Sequence, residues 1–279
     1  MTDKIDDMLR ETGEVMTELT MKAGEAMRSG TSRRDFFTRT ASLASATALG
    51  AAGAKILQPI AAHAAVHPTT GNTDTLQEIL NIAATAEALA VTFYWNALQN
   101  PAGLPDVNNN ANKNYFQAAL TQEYEHLLKL YKLGGKTLTR LFYFPDNMFT
   151  DEKVFFPTAL TLEEYFISAY LAAAMDFSGA VSSNITTADP FSLGFAVQVL
   201  GVECEHRALL GVAANMNPPN NVVIETALLT SVQGAVKPLT PFLQAGSGYS
   251  GPFEMPSQSA VSAQAYPYDF AYFPKYTIV

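Results

Sequence analysis

The chain has 279 residues, 48% hydrophobic and 15% charged, enough to bury a large core and too apolar for a disordered chain or a highly charged coiled coil. Twenty-six acidic residues against 17 basic give a net charge of −9, which argues against a general nucleic-acid binder. The single cysteine, Cys204, excludes an intrachain disulfide framework and any cysteine-based zinc or iron–sulfur site.

Residues 31–39 read TSRRDFFTR, and small uncharged residues follow from Thr40 to Ala54. Ala62-His63-Ala64 supplies a small-x-small cleavage pattern, so residues 1–64 have the parts of an export signal. Arg33-Arg34, with Ser32 before and Phe36-Phe37 after, resembles the twin-arginine signal, although Thr38 stands where that motif often has a lysine. The stretch lacks the ~20 strongly apolar residues of a membrane span, so export to the periplasm or medium is expected rather than anchoring. Residues 1–30 are long for a signal's basic region, and the signal reading does not account for them. Cleavage before Ala65 would leave 9 basic and 18 acidic residues, so the exported part carries the whole −9.

Four long segments then show helical periodicity. The first runs from about Asp74 to Gln99, with Leu76, Ile79, Ile82, Ala83, Ala86, Leu89 and Ala90 as its apolar stripe. Asn100-Pro101-Ala102-Gly103 ends it. The second runs from about Asn112 to Leu133, with Gly134-Gly135 as its stop. The third starts at Thr158 or Thr161 and fades near Ser178-Gly179; the fourth follows Asp189-Pro190 and ends near Asn215. Short loops make helices one and two, and three and four, antiparallel hairpins. The Phe-, Tyr- and Pro-rich stretch between helices two and three has the length of a crossover. The expected fold is therefore an all-α four-helix bundle over residues 65–220. A C-terminal extension, 221–279, is expected to pack on it: Val222 to Leu243 helical at first, then an irregular tail from about Gly246.

Chemistry concentrates in two short runs. Helix two contains Gln122-Glu123-Tyr124-Glu125-His126, and helix four contains Val202-Glu203-Cys204-Glu205-His206. Each holds Glu-x-x-His, which puts a carboxylate and an imidazole on one helix face. Glu125 and Glu205 point elsewhere, toward solvent or outside the ligand set. With glutamate at about 5% of the exported part, chance would place one three residues before both histidines about 0.3% of the time. The competing reading is a pair of helix-surface Glu–His contacts. A di-metal site in a bundle needs one further carboxylate from each remaining helix. Helix one offers Glu87 among Ala83, Ala84, Ala86, Ala88 and Ala90, where an unpaired carboxylate is costly to bury. Tyr94 follows Glu87 by seven residues, and Tyr170 follows Glu163 by the same interval on helix three. The chain thus reads Glu…Tyr, Glu-x-x-His twice, an internal two-helix repeat. That register selects Glu163. Glu164, which with Thr161 fits a capping box, competes with it, and Asp176 stands behind both.

The set Glu87, Glu123, His126, Glu163, Glu203 and His206 resembles the ligands of the ferritin-like di-iron and di-manganese carboxylate proteins. Among these, Ala86-Glu87 through Phe93-Tyr94 and Leu162-Glu163 through Ala169-Tyr170 are similar to the desiccation-related ferritin-like family. Helix three departs from it, with Phe166 and Ile167 where a glycine is expected. The resemblance implies a ferritin-like bundle holding two iron or manganese ions per chain, with glutamates bridging and each histidine terminal. It implies ferroxidase, peroxidase or catalase-like chemistry on small oxidants. Tyr94 and Tyr170 read first as core aromatics, with a hydrogen bond to a ligand carboxylate as the second option. The alternative is a non-enzymatic stress or desiccation protein that merely binds metal, or none. Cys204 reads as a packing residue, and Arg207 as the partner of a carboxylate. No nucleic acid and no lasting membrane span are expected, and a homo-oligomer is left open.

Overall fold

The computed structural model describes residues 72–266. The export-signal reading of residues 1–64, together with His63 and His67, lies outside them.

The first helix, α1 (Leu76–Gln99), opens on a capping box in which Thr75 and Glu78 satisfy each other's backbone N–H groups. One short turn, α2 (Pro105–Asn108), leads into α3 (Lys113–Lys132). The N–H groups of Gly134 and Gly135 reach back to the carbonyls of Tyr131 and Leu130, and Gly134 takes φ +94°. This is the left-handed stop that the Gly134-Gly135 pair predicts. After a strand, β1 (Leu141–Pro145), the long helix α4 (Glu152–Phe177) returns and pairs with α5 (Pro190–Ala213). Asp189 caps α5 through the N–H groups of Phe191 and Ser192. The tightest packing joins α1 to α3 and α4 to α5, the two expected hairpins. Their inner faces form one apolar core with α1 at its centre, where Ala84, Ala88, Leu89, Ala90, Val91 and Phe93 are fully buried.

Two features depart from the sequence reading. Helix α4 begins at Glu152, not at Thr158 or Thr161. Asp151 caps it by accepting from the Lys153 N–H, and Pro157 is accommodated inside the helix. Thr161 is therefore mid-helix, where its hydroxyl donates to the Pro157 carbonyl, and it forms no capping box with Glu164.

The described part of the C-terminal extension, residues 221–266, also departs from an irregular tail. Residues near Val222 are not helical; a 3₁₀ turn at Val232–Ala235 runs into α6 (Val236–Leu243) instead. Pro238 is tolerated there because first-turn N–H groups have no helical partner anyway. The strand β2 (Tyr249–Glu254) then pairs antiparallel with β1, setting Leu141 against Glu254 and Pro145 against Tyr249, before a last helix, α7 (Gln258–Gln264). The 3₁₀ turn packs on α1 and α4, and α6 packs on β1. No helix among the described residues is long and apolar enough to cross a membrane.

Candidate metal centre

Glu87 and Glu163 each occupy the twelfth position of their helix, so both carboxylates enter the middle of the bundle. They meet Glu123 and His126 from α3, and Glu203 and His206 from α5. The four carboxylates are buried, Glu123, Glu163 and Glu203 completely, and His206 is 1% exposed. Two groupings result, one of Glu87, Glu123, His126 and Glu203, the other of Glu123, Glu163, Glu203 and His206. Within each, one ligand atom per residue lies within 4.8 Å of all the others. Glu123 and Glu203 belong to both. Each remaining carboxylate, Glu87 or Glu163, shares its group with one histidine.

The spacing fits ions better than ion pairs. His126 Nδ1 lies 3.6 Å from Glu87 Oε2, 3.3 Å from Glu123 Oε2 and 3.5 Å from Glu203 Oε1. His206 Nδ1 lies 3.1 Å from Glu123 Oε1 and 3.4 Å from Glu203 Oε2. Atoms held ~2.1 Å from one shared ion stand about 3.0–3.4 Å apart, so one nitrogen facing several oxygens at these distances is the outline of a coordination shell. Moreover, Glu87 Oε2, Glu123 Oε1, Glu163 Oε2 and Glu203 Oε1 are buried and make no hydrogen bond among the described residues. Orphaned carboxylate oxygens are expensive in an apolar core. Two divalent ions would balance four carboxylates beside neutral imidazoles. These groups can hold metal ions.

Without metal, the cluster must hold protons instead. Burial, reinforced by the charge of Glu123, pushes the Glu87 carboxyl well up, and burial with the charge of Glu203 does the same to Glu163. Burial also opposes ionisation of Glu123, but the charge of His206 and the close approach of both imidazoles to its oxygens hold that carboxyl below its usual range. For the histidines, burial disfavours the cation. Glu87 beside His126 and Glu123 beside His206 outweigh it and hold both imidazoles protonated well above their usual range.

The tyrosines tie the two hairpins together. Tyr94 on α1 donates to Glu163 Oε1 at 2.5 Å, and Tyr170 on α4 donates to Glu87 Oε1. Burial first, then the facing carboxylate, pushes both phenols well up, so each remains a donor. A small pocket lined by Tyr94, Tyr115, Phe116, Ala119, His206 and Leu210 opens on the His206 side. Toward the other end of the bundle, an apolar cavity lined by Ile82, Ala86, Phe166, Tyr170 and Ala173 among others reaches Tyr170.

The competitors for helix three lie elsewhere. Glu164 is half-buried, outside both groupings, and feels the charges of Arg207 and Glu225. Asp176, thirteen residues beyond Glu163 and so about 20 Å along the helix, accepts from Asn72. Glu125 and Glu205 are exposed, as expected. Arg207 does pair with a carboxylate: both its terminal nitrogens meet Glu225 at 2.7 Å, and one also reaches Asn220. The Cys204 thiol is free, and burial, with Glu225 nearby, pushes it up to about 11, so it stays a neutral packing group. One contact lay outside the sequence reading: Gln122 Oε1 stands 2.8 Å from His206 Nε2. The only sequence signal for it is that Gln122 precedes Glu123 where Val202 precedes Glu203.

No curated protein and no solved structure matches the chain. The family model of the ferritin-like domain matches residues 75–215, a span that takes in α1, α3, α4 and α5 and all six residues of the cluster. With half of its 279 residues matched and a bundle of this architecture, the chain belongs to the ferritin-like domain family.

Proposed function

We propose that Glu87, Glu123, His126, Glu163, Glu203 and His206 hold a pair of iron or manganese ions and that the protein acts on dioxygen, peroxide or ferrous ion in stress protection. The observation that carries this reading is the sharing of Glu123 and Glu203 between the two groupings. Glu123 and Glu203 would help hold both ions, while Glu87 with His126 and Glu163 with His206 would each help hold one. Bound iron or manganese would supply the redox chemistry. The chain's own contribution is orientation and exclusion of bulk water. Tyr94 and Tyr170 hold one oxygen of Glu163 and of Glu87, leaving the other oxygen of each carboxylate to face the cluster. The apolar cavity at Tyr170 and the small pocket at His206 suit oxidants of a few atoms rather than a bulky substrate.

Export is the second part of the proposal. Arg33-Arg34 and the small-residue stretch behind it support a twin-arginine route, which carries folded proteins and would let metal be loaded before export. The pattern of Glu87 through Tyr94 and Glu163 through Tyr170 supports a place near the desiccation-related ferritin-like proteins. Metal analysis of protein purified from its native compartment, followed by assays of hydrogen peroxide breakdown and ferrous ion oxidation, tests the reading. Two ions per chain with turnover of either substrate is the expected result. Bound metal without turnover would support the non-enzymatic alternative.

A further inference from the structure

His126 and His206 occupy matching positions in the two halves of the centre, yet their outer nitrogens have different surroundings. His206 Nε2 lies 2.8 Å from Gln122 Oε1, and its side chain is 1% exposed. The His126 side chain is 12% exposed, and among the described residues no protein group bonds its Nε2. Repeat register explains the difference: Gln122 precedes Glu123 on α3, and the matching position before Glu203 on α5 is Val202, which offers no acceptor.

A histidine whose Nδ1 faces an ion must present a lone pair there, so its ring proton sits on Nε2. When that N–H is buried it needs an acceptor, and the acceptor then fixes the tautomer and the ring plane. The amide oxygen of Gln122 fills this role for His206, reaching from the opposite hairpin. Water at a partly exposed edge is the remaining acceptor for His126, and water does not hold the ring.

We propose that Gln122 is a positioning residue that locks His206 in its ligating tautomer and makes the two metal positions unequal. The Glu163–His206 position fills first and more tightly than the Glu87–His126 position. This inference rests on the di-metal reading above.

Cobalt(II) titration of the metal-free full chain, followed by calorimetry and by the visible absorption of the bound ion, tests it. Wild-type protein should take up two ions in two resolved steps. Gln122→Leu should still bind two, with the tighter step weakened 10–100-fold and the steps drawn together. Gln122→Glu, which restores an acceptor, should recover two resolved steps. Gln122→Met, which keeps the length of the side chain without a comparable acceptor, should behave as Gln122→Leu; recovery by Gln122→Met would show a merely structural role and overturn the inference. Two ions entering wild-type protein in a single step, or a Gln122→Leu titration matching wild type, would overturn the inference and leave the di-metal reading standing. Wild-type protein that binds no cobalt would overturn both.

Discussion

Tyr94 on α1 donates its phenolic proton to Glu163 on α4 at 2.5 Å, and Tyr170 on α4 returns the same contact to Glu87 on α1. Each tyrosine thus follows one glutamate by seven residues and serves the other. The repeat in the chain becomes a reciprocal clasp between the two hairpins. Removing either hydroxyl should cost about 1.5–3 kcal/mol, because a buried carboxyl oxygen loses its donor. Urea unfolding of Tyr94→Phe and Tyr170→Phe measures this, and losses below about 0.5 kcal/mol in both would contradict it.

Glu163 and Glu164 should separate cleanly. Glu163→Gln replaces an ionisable carboxyl whose Oε2 makes no hydrogen bond among the described residues, and should lose at least one of two ions. Glu164→Gln changes a half-buried side chain outside both groupings, beside Arg207 and Glu225, and should keep both ions. Because Glu164 caps nothing, its change should shift stability by no more than about 0.5 kcal/mol. Metal content of the two purified variants decides the matter, and the reverse pattern would move the ligand to Glu164.

These assignments show how much was legible in the chain. The hairpins follow from 3.6-residue periodicity and from stops at Gly134 and Asn215, which are local signals. Both Glu-x-x-His pairs follow from the same period, and Glu163 from repeat register alone. The start of α4 was missed because Pro157 and the Thr161–Glu164 pair both resemble a helix beginning, whereas Asp151 supplies the cap six residues earlier. Pairing of Leu141–Pro145 with Tyr249–Glu254 joins segments more than 100 residues apart, and no local pattern carries such a contact. The bond from Gln122 to His206 is of the same kind: it depends on how close α3 and α5 come, which periodicity does not specify.

Away from the centre, two carboxylates should make stability depend on pH. Burial pushes Asp176 up to about 7, with the Asp74 charge adding to it. Burial likewise pushes Asp74 up to about 6, against the Gln233 and Val232 N–H groups that bond it. Both carboxyls hold a proton in the folded chain at pH values where the unfolded chain has released it. Their contribution is therefore intact below about pH 4 and is lost as pH rises through 6 and 7. Asp176→Asn keeps an acceptor for Asn72 without needing the proton. Relative to wild type it should gain on the order of 2 kcal/mol at pH 8, after discounting for solvent screening, and nothing at pH 4. Thermal melts at the two pH values check the sign, and a gain confined to pH 4 would contradict it.

Export should depend on the arginine pair. Changing Arg33 and Arg34 together to Lys should trap an uncleaved precursor in the cytoplasm, detectable by fractionation and blotting. Normal export of that variant, or exported wild-type protein with an intact N-terminus, would contradict a twin-arginine route.

Metal binding with proton release tests the central claim most directly. In the metal-free cluster, the coupled Glu87–His126 pair, Glu163 and His206 hold protons that an incoming ion must displace. Raising the pH removes that competition, so affinity should rise between about pH 5 and 7. Calorimetric titration of wild-type protein with ferrous or manganese ion, in two buffers of different ionisation enthalpy, counts both ions and protons. The account predicts two ions per chain, net proton release, and stabilisation of about 2.7 kcal/mol at an ion concentration 100-fold above Kd. His126→Ala and His206→Ala should each lower the stoichiometry and flatten the pH dependence. Wild-type protein that binds neither ion, with an unchanged Tm in the presence of both, would contradict it.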